Sequence, residues 1–194
     1  MEHWGYYLRG RLLELFGLKS QAITAYTSAI KMKAGFPRPT NRIAYLLASL
    51  GRFDEAEPYF HAVLRADPDN AVAHFNLGYT LDKRHRFEPA IAAFREATRL
   101  RPGLDRAWYG LGLAHAALGH HPQAAAALEQ AARLQPMNPH AWYQLGMAQH
   151  ACGNRARFDE VAMHLLRFDP KMTRRLIADA QRDDLAHLVK DLVA

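Results

Sequence analysis

Histidine is the residue type in this sequence best suited to chemistry, because eleven of the 194 residues are histidines. Imidazole and thiolate groups are common zinc ligands, and His115, His150 and Cys152 are the combination that would come closest to a site. No H-E-x-x-H segment and no pair of cysteines occurs, however. The adjacent His120 and His121 fall in a predicted turn, where water surrounds them. The sequence therefore predicts no metal site.

The other reactive side chains do not form an enzyme-like pattern either. The glycines are spaced singly, whereas a phosphate-binding loop needs several close together. No serine or cysteine stands in a nucleophile motif. The carboxylates of Asp183 and Asp184 fall on the polar side of a predicted helix, where they are solvated charges. We therefore expect no catalytic residue, no enzymatic activity and no cofactor.

An internal repeat of 34 residues organises the chain. A small residue is followed four positions later by a large one, and prolines, glycines and tryptophans keep the same spacing. The small–large pairs are Ala22–Tyr26, Ala56–Phe60, Ala90–Phe94 and Ala124–Leu128. This spacing predicts five repeats over residues 3–172, namely 3–36, 37–70, 71–104, 105–138 and 139–172. One helix pair cannot bury both of its faces alone, so the repeats must stack.

The fourth repeat illustrates how each repeat folds. Trp108 and Gly112 lie on one stripe of a first helix, and Gly119 supplies a turn after it. Pro122 stands in the first turn of a second helix, where its missing N–H costs little, and Pro136 ends that helix. Gly112 allows the two helices to approach closely. We expect Trp108 to fill the space between this repeat and the next.

This pattern resembles the tetratricopeptide repeat family, which has a tryptophan, leucine and glycine in its first helix and a small–aromatic pair in its second. The resemblance implies an all-α fold, a right-handed α-solenoid of antiparallel helix pairs. Four of the five repeats depart from this pattern at one or more positions. His85 replaces a turn glycine, and Phe158 and Ala162 exchange the small and the large position, which predicts local repacking. The matching segments are 108–112, 142–146 and 90–94, followed by Pro102.

Both ends of the array have predicted roles. Residues 173–194 carry apolar residues such as Leu176 and Leu188 at helical spacing, opposite charged ones, which predicts one C-terminal capping helix. A partner-binding or dimerising helix is the alternative, so a homodimer through a terminal helix stays open. At the other end the sequence begins inside the first helix with no cap, and we expect this repeat to be exposed or to pair with something.

In the resembled family, the first helices line a concave groove that holds extended peptides or partner helices. The resemblance therefore implies ligand-binding residues on one stripe of each first helix. Aromatic side chains there would give rigid contact area, and arginine and amide groups would bind a backbone or a carboxylate. The predicted binding residues are Tyr7, Arg11, Arg38, Asn41, Arg42, Tyr45, Phe75, Asn76, Tyr79, Lys83, Arg106, Tyr109, Tyr143, Gln144 and Met147.

The sequence thus predicts a non-catalytic scaffold or adaptor that binds a protein or peptide. An acidic or amphipathic partner is expected, because arginines outnumber Glu14 and Asp82 among the groove positions. An RNA-binding helical repeat is one alternative, although lysine and arginine do not recur at one groove position in every repeat. A regulatory portion of a larger enzyme or membrane complex is the other.

Composition limits the setting in which this protein works. The net charge of +6 is compatible with acidic partners but does not identify one. No apolar run approaches the roughly 20 residues that a membrane span needs, which argues against direct membrane insertion. The first residues do not resemble a signal peptide. We therefore expect a cytoplasmic protein.

Overall fold

A computed structural model describes residues 2–34 and 36–192, with side chains up to residue 190. The described chain is all-helical, with no strand in it, which confirms the predicted fold class. Eleven α-helices are followed by a closing 3₁₀ helix at Asp183–Leu192. The α-helices are α1 (Glu2–Leu15), α2 (Lys19–Met32), α3 (Pro37–Ser49), α4 (Phe53–Ala66), α5 (Ala71–Lys83), α6 (Phe87–Leu100), α7 (Asp105–Ala117), α8 (His121–Leu134), α9 (Pro139–Ala151), α10 (Arg155–Leu166) and α11 (Pro170–Asp179).

The helices form two compact bodies, an N-terminal body (Met1–Arg101) and a C-terminal body (Pro102–Ala194). Within the N-terminal body, consecutive helices pair as α1–α2, α3–α4 and α5–α6, and each pair packs on the next through α2–α3 and α4–α5. Within the C-terminal body, α7–α8 and α9–α10 pair in the same way, α8 packs on α9, and α11 packs on both α9 and α10. The division after residue 101 was not predicted.

Short turns of one kind join the two helices of each pair. Gly119 ends the turn after α7 with a φ of 73°, in the left-handed region that glycine adopts without steric cost. His85 takes the corresponding place after α5 with a φ of 56°, although a side chain makes this conformation costly. The predicted turn at residue 119 and the unusual residue at 85 are both confirmed.

Glycines in the first helices allow the helices of one pair to approach closely. A Cβ atom added to Gly112 would lie 2.5 Å from Cγ of Leu128 and 3.3 Å from the backbone oxygen of Ala124. Gly78 meets the ring of Phe94 in the same way. At Gly78 and Gly112 the large residue of the small–large pair therefore lies directly over the glycine, and the close approach of the helices at Gly112 agrees with the prediction.

In the fifth pair, the space beside the glycine of the first helix is filled by a residue from outside the pair. Ala162 of α10 stands where the other second helices carry a large residue, and Phe158 is buried at the small position. Leu176 of α11 covers Gly146 instead: a Cβ atom there would lie 2.8 Å from both terminal methyl carbons of Leu176. The repacking that the exchange predicts therefore includes α11, a helix that follows the last pair.

The C-terminal region differs from the predicted single helix over residues 173–194. Pro170 begins α11, with Asp169 as the N-cap, whereas Pro136 lies between two helices. The chain then turns at Gln181, where φ is 53°, and continues as the 3₁₀ helix. The prediction of one continuous helix is therefore wrong. Residues 193 and 194 of the predicted helix lie outside the described residues.

Arg182 holds the 3₁₀ helix against the helix pair beside it. Its guanidinium is almost completely buried, lies 4.9 Å from the ring centroid of Phe158, and donates to Asp159 at 2.5 Å. It also donates to Asp184 at 2.9 Å. The hydrogen bonds from Arg182 and then from Arg155 hold the pKa of Asp184 well below its usual range.

Trp108 is partly buried and packs against the hydrophobic core cluster of the C-terminal body, which includes residues of the next pair such as Leu145. Its indole N–H donates to the carbonyl oxygen of Pro102 at 2.8 Å, and Trp142 makes the same bond to Pro136. In α7 and α9 the tryptophan thus ties the loop before the first helix to that helix, because an indole N–H needs an acceptor when its ring is covered.

Candidate interaction surface

Two exposed tyrosines mark one side of the N-terminal body. Tyr45 of α3 and Tyr79 of α5 stand 34 residues apart and are 53% and 41% exposed. Lys83 lies 5.3 Å above the Tyr79 ring, and Phe53 meets that ring edge-on at 6.0 Å. We call the exposed side of α1, α3 and α5 that carries Arg11, Tyr45 and Tyr79 the tyrosine face. Large aromatic rings left in solvent provide contact area that the fold does not use.

A cavity of about 420 Å³ opens between α3, α4 and the start of α5. We call it the Asn41 cavity, since Asn41 lines it at the repeat position that Tyr7 and Phe75 occupy in the neighbouring pairs. Those rings pack on their own second helices, with centroids 5.6 Å from Tyr26 and 6.1 Å from Phe94. The lining residues are Pro37, Arg38, Thr40, Asn41, Ala62, Val63, Ala66, Asp67 and Asn70.

Arg38 combines a position in the Asn41 cavity with an exposed side chain. Its guanidinium lies 5.3 Å from the ring centroid of Trp4, a geometry that favours the cation. Within the described part of the chain no ion pair is found for Arg38. An arginine that is oriented by an aromatic ring and exposed to solvent can bind a carboxylate of a partner molecule.

Arg42, by contrast, is already occupied. It donates to Glu14 through Nε at 2.9 Å and Nη2 at 2.8 Å, and the phenol of Tyr26 donates to the same carboxylate at 2.5 Å. Burial, and then the hydrogen bond to Glu14, raise the pKa of Tyr26 above its usual range. Arg11 lies 4.0 Å from Glu14 as well. Glu14 therefore neutralises much of the predicted positive charge here.

Tyr7 is a core residue and not a surface residue. Its ring lies 5.6 Å from Phe36 and 5.7 Å from Trp4, and only 9% of the residue is exposed. This corrects the prediction that Tyr7 contacts a ligand. The aromatic stripe was predicted from spacing, and the same spacing also fits rings that pack between helices.

Three more predicted residues lie near the end of the N-terminal body. Phe75 and Asn76 are half-buried, and Lys83 is exposed. Asp82 lies among them as a half-buried carboxylate, and burial raises its pKa above the usual value of 3.8. This part of the surface therefore carries one cation, Lys83, and one poorly solvated carboxylate, Asp82.

The predicted residues of the C-terminal body lie on α7 and α9. Tyr143 donates to Asp179 of α11 at 2.6 Å, and the guanidinium of Arg175 lies 5.2 Å from its ring centroid. Tyr143 is therefore engaged with α11. Tyr109 is half-buried against the hydrophobic core, and burial raises its pKa. Gln144 and Met147 are half-buried, and Arg106 is exposed.

These helix pairs match a known family of repeats. A family profile described as tetratricopeptide repeat matches residues 41–105, 80–126 and 109–157, which together cover more than half of the chain. The chain belongs to the tetratricopeptide repeat (TPR) family. The resemblance found in the sequence is thereby confirmed, and the predicted binding residues lie on the first helices of TPR pairs.

Solved structures share this TPR fold at low sequence identity. A crystal structure of MamA protein is 21% identical with a TM-score of 0.81, covering 91% of this chain and 94% of that one. YrrB, described as a TPR protein with an unusual peptide-binding site, is 20% identical with a TM-score of 0.80, covering 91% and 90%. Pseudomonas aeruginosa pilF is 19% identical with a TM-score of 0.72, covering 98% and 91%.

The histidines of this TPR protein form no cluster of three possible metal ligands within the described residues. Among residues 2–34 and 36–192, no three histidine, cysteine or acidic side chains are placed to hold a metal ion. His115 and His120 do lie together, with their Nδ1 atoms 3.4 Å apart. No helix in the same described residues is long and apolar enough to span a bilayer.

Sequence reasoning placed Trp4 on the groove stripe, and Arg175 and Asp179 on the charged side of the closing helix, but it missed their contacts. Trp4 orients Arg38, and Asp179 and Arg175 of α11 hold Tyr143. The Asp169-Pro170 pair, an N-cap followed by a proline at the first helical position, is the signal that predicts a new helix at residue 170. A helix starting there places Arg175 and Asp179 next to the last TPR pair.

Proposed function

We propose that this TPR protein is a non-catalytic scaffold whose N-terminal body binds an acidic or amphipathic peptide segment at the Asn41 cavity and the tyrosine face. The Asn41 cavity supports this proposal most strongly. At this position of the repeat the neighbouring pairs place an aromatic ring, and Asn41 leaves that volume open to solvent. An apolar side chain of a partner fits into a cavity with mostly apolar walls.

The surroundings of the cavity indicate the chemistry of the segment. Arg38 at the cavity can pair with a carboxylate beside the inserted side chain. Tyr45 lies one helical turn beyond Asn41 on α3, and its exposed ring can cover the next part of the segment. Arg42 does not contribute charge, because Glu14 holds it. An acidic residue close to an apolar one is therefore the expected recognition element.

A selection from displayed random peptides of about 12 residues tests this proposal, followed by fluorescence anisotropy with the peptides selected on the wild-type protein. Asn41→Phe restores the ring that other pairs have and fills the cavity from within. It should weaken peptide binding about tenfold or more without lowering the melting temperature. Arg38→Glu should weaken the same peptides, whereas Tyr59→Ala, a half-exposed tyrosine of α4, should leave them unchanged.

Two results would contradict the proposal. Undiminished affinity in both Asn41→Phe and Arg38→Glu would place the binding site elsewhere. Binding of a single-stranded RNA homopolymer that exceeds peptide binding and falls steeply with salt would favour the alternative of an RNA-binding repeat.

A further inference from the structure

Two histidines of the C-terminal body face each other at the turn between α7 and α8. His115 lies in the last turn of α7, and His120 is the N-cap residue of α8. Their Nδ1 atoms are 3.4 Å apart, whereas the ring centroids are 5.6 Å apart. The two nitrogens are therefore the atoms that each ring turns towards the other. Imidazole nitrogen is the commonest protein ligand of metal ions, so the pair presents two ligand atoms to one place.

The backbone of the turn fixes both residues in this arrangement. The N–H group of His120 donates to the carbonyl oxygen of His115 at 2.9 Å, and Gly119 closes the turn with a φ of 73°. The same backbone bond joins the corresponding residues in the turns of the other four pairs. Those residues are Leu13 and Leu18, Leu47 and Arg52, Leu81 and Arg86, and Gln149 and Asn154. Only the turn after α7 therefore combines this fixed arrangement with two imidazole rings.

The separation of the two nitrogens fits one bound zinc ion. Hydrogen bonds from an N–H group are about 2.7–3.2 Å long, which is shorter than the separation found here. Two nitrogens on one tetrahedral zinc ion, each about 2.0–2.1 Å from the metal, lie about 3.3–3.4 Å apart. Adjacent ligands of a square-planar copper or nickel ion would lie only about 2.8–2.9 Å apart. The observed 3.4 Å therefore favours tetrahedral zinc.

The two histidines differ in burial in a way that suits a metal site. His115 is 5% exposed and stands at the repeat position of the buried Leu47 and Leu81, where packing alone favours an aliphatic side chain. It thus holds one ligand atom in the rigid interior, as a preorganised site requires. His120 is exposed, so an ion can reach the pair from solvent.

Water would complete the coordination shell of such an ion. Among residues 2–34 and 36–192, no third histidine, cysteine or carboxylate joins the pair as a possible ligand. Catalytic zinc sites also combine protein ligands with water, although they have three protein ligands. A site with two binds zinc more weakly, and it leaves positions that a donor atom of a bound partner can occupy.

We propose that His115 and His120 bind one zinc ion through their Nδ1 atoms, with water in the remaining coordination positions. The bound ion links the end of α7 to the start of α8 and so stabilises the first helix pair of the C-terminal body. The site belongs to the C-terminal body alone, and it does not depend on the proposed peptide site at the Asn41 cavity.

Titration of the metal-free whole protein with zinc chloride, followed by isothermal titration calorimetry, measures the stoichiometry and affinity. Cobalt(II) titration adds a spectroscopic readout, because tetrahedral cobalt absorbs visible light much more strongly than octahedral cobalt. The variants are His115→Gln and His120→Asn, which introduce the residues that the next pair carries at these positions, Gln149 and Asn154. His140→Gln, at an exposed histidine of α9, is the matched control.

The wild-type protein should bind one zinc ion, and cobalt should give the strong tetrahedral absorption. Each turn variant should bind zinc at least about tenfold more weakly, whereas His140→Gln should bind it like the wild type. Zinc should also raise the melting temperature of the wild type but not that of the double variant, because a ligand stabilises only the folded form that binds it. Circular dichroism without metal checks that each variant is folded.

Three results would overturn the proposal. The first is a wild-type protein without saturable zinc binding, which would leave the two rings as a histidine pair only. The second is a double variant that binds zinc as tightly as the wild type, which would assign the ion to other histidines. The third is an octahedral cobalt spectrum, which would contradict the tetrahedral geometry inferred from the distance between the nitrogens.

Discussion

The contact between Gly146 and Leu176 gives the sharpest test of how the last TPR pair is completed. Leu176 is fully buried, and its methyl carbons lie where a side chain at residue 146 would begin. Leu176→Ala should destabilise the protein by about 3 kcal/mol, since a rigid helix pair collapses poorly around the lost volume. Gly146→Ala gains about 1 kcal/mol of helix propensity but loses about 2 kcal/mol to overpacking.

The double variant separates this contact from general weakness of the region. Without the methyl groups of Leu176, the new Cβ atom of Gly146→Ala no longer clashes and fills part of the space. The double variant should therefore be destabilised by about 2 kcal/mol, whereas the two single effects add to about 4 kcal/mol. Gly5→Ala is the matched control, because nothing lies within 4 Å of its Cβ position and only the propensity gain remains.

Urea denaturation followed by far-ultraviolet circular dichroism measures all four variants. Additive effects in the double variant, or a Gly146→Ala variant that gains stability like Gly5→Ala, would show that Leu176 does not cover Gly146. The conclusion that α11 completes the last pair would then be wrong. Tryptophan fluorescence offers a second readout, because Trp142 packs against the same core cluster.

Two further predictions concern the left-handed turn residues and the half-buried carboxylate of Asp82. His85→Gly should raise the free energy of unfolding by about 0.5–1 kcal/mol, because glycine adopts the left-handed backbone conformation without strain. Gly119→Ala should lower the free energy of unfolding by a similar amount. A His85→Gly variant that is less stable than the wild type would show that contacts of the histidine ring outweigh the backbone strain. Burial raises the pKa of Asp82, so its stabilising contribution is complete below its usual value of 3.8 and is lost as the pH rises through the raised value. Asp82→Asn should therefore raise the melting temperature near pH 7 and have little effect near pH 3, and an equal effect at both would refute the role of ionisation.

The interaction surface depended more strongly on three-dimensional packing than the fold did. Tyr7 and Tyr45 both looked like surface aromatics of first helices, yet Tyr7 is buried and Tyr45 exposed. Arg42 looked like a cation available to a partner, but Glu14, which lies 28 residues away on another helix, binds it. The Asn41 cavity was visible only as an interruption of the aromatic stripe, and its volume depends on the walls that α4 provides.

The sequence by itself determined the helix pairs of the five repeats, their turns and the close approach at Gly112, because these follow from local propensities and a 34-residue spacing that the chain repeats. The tertiary structure decided which side chains from different helices meet: Leu176 over Gly146, Arg42 with Glu14, Arg38 beside Trp4. Spacing along one helix fixes the face on which a residue lies. The rotation and axial offset of two packed helices decide what that face touches, and these depend on side-chain volumes summed over the whole interface.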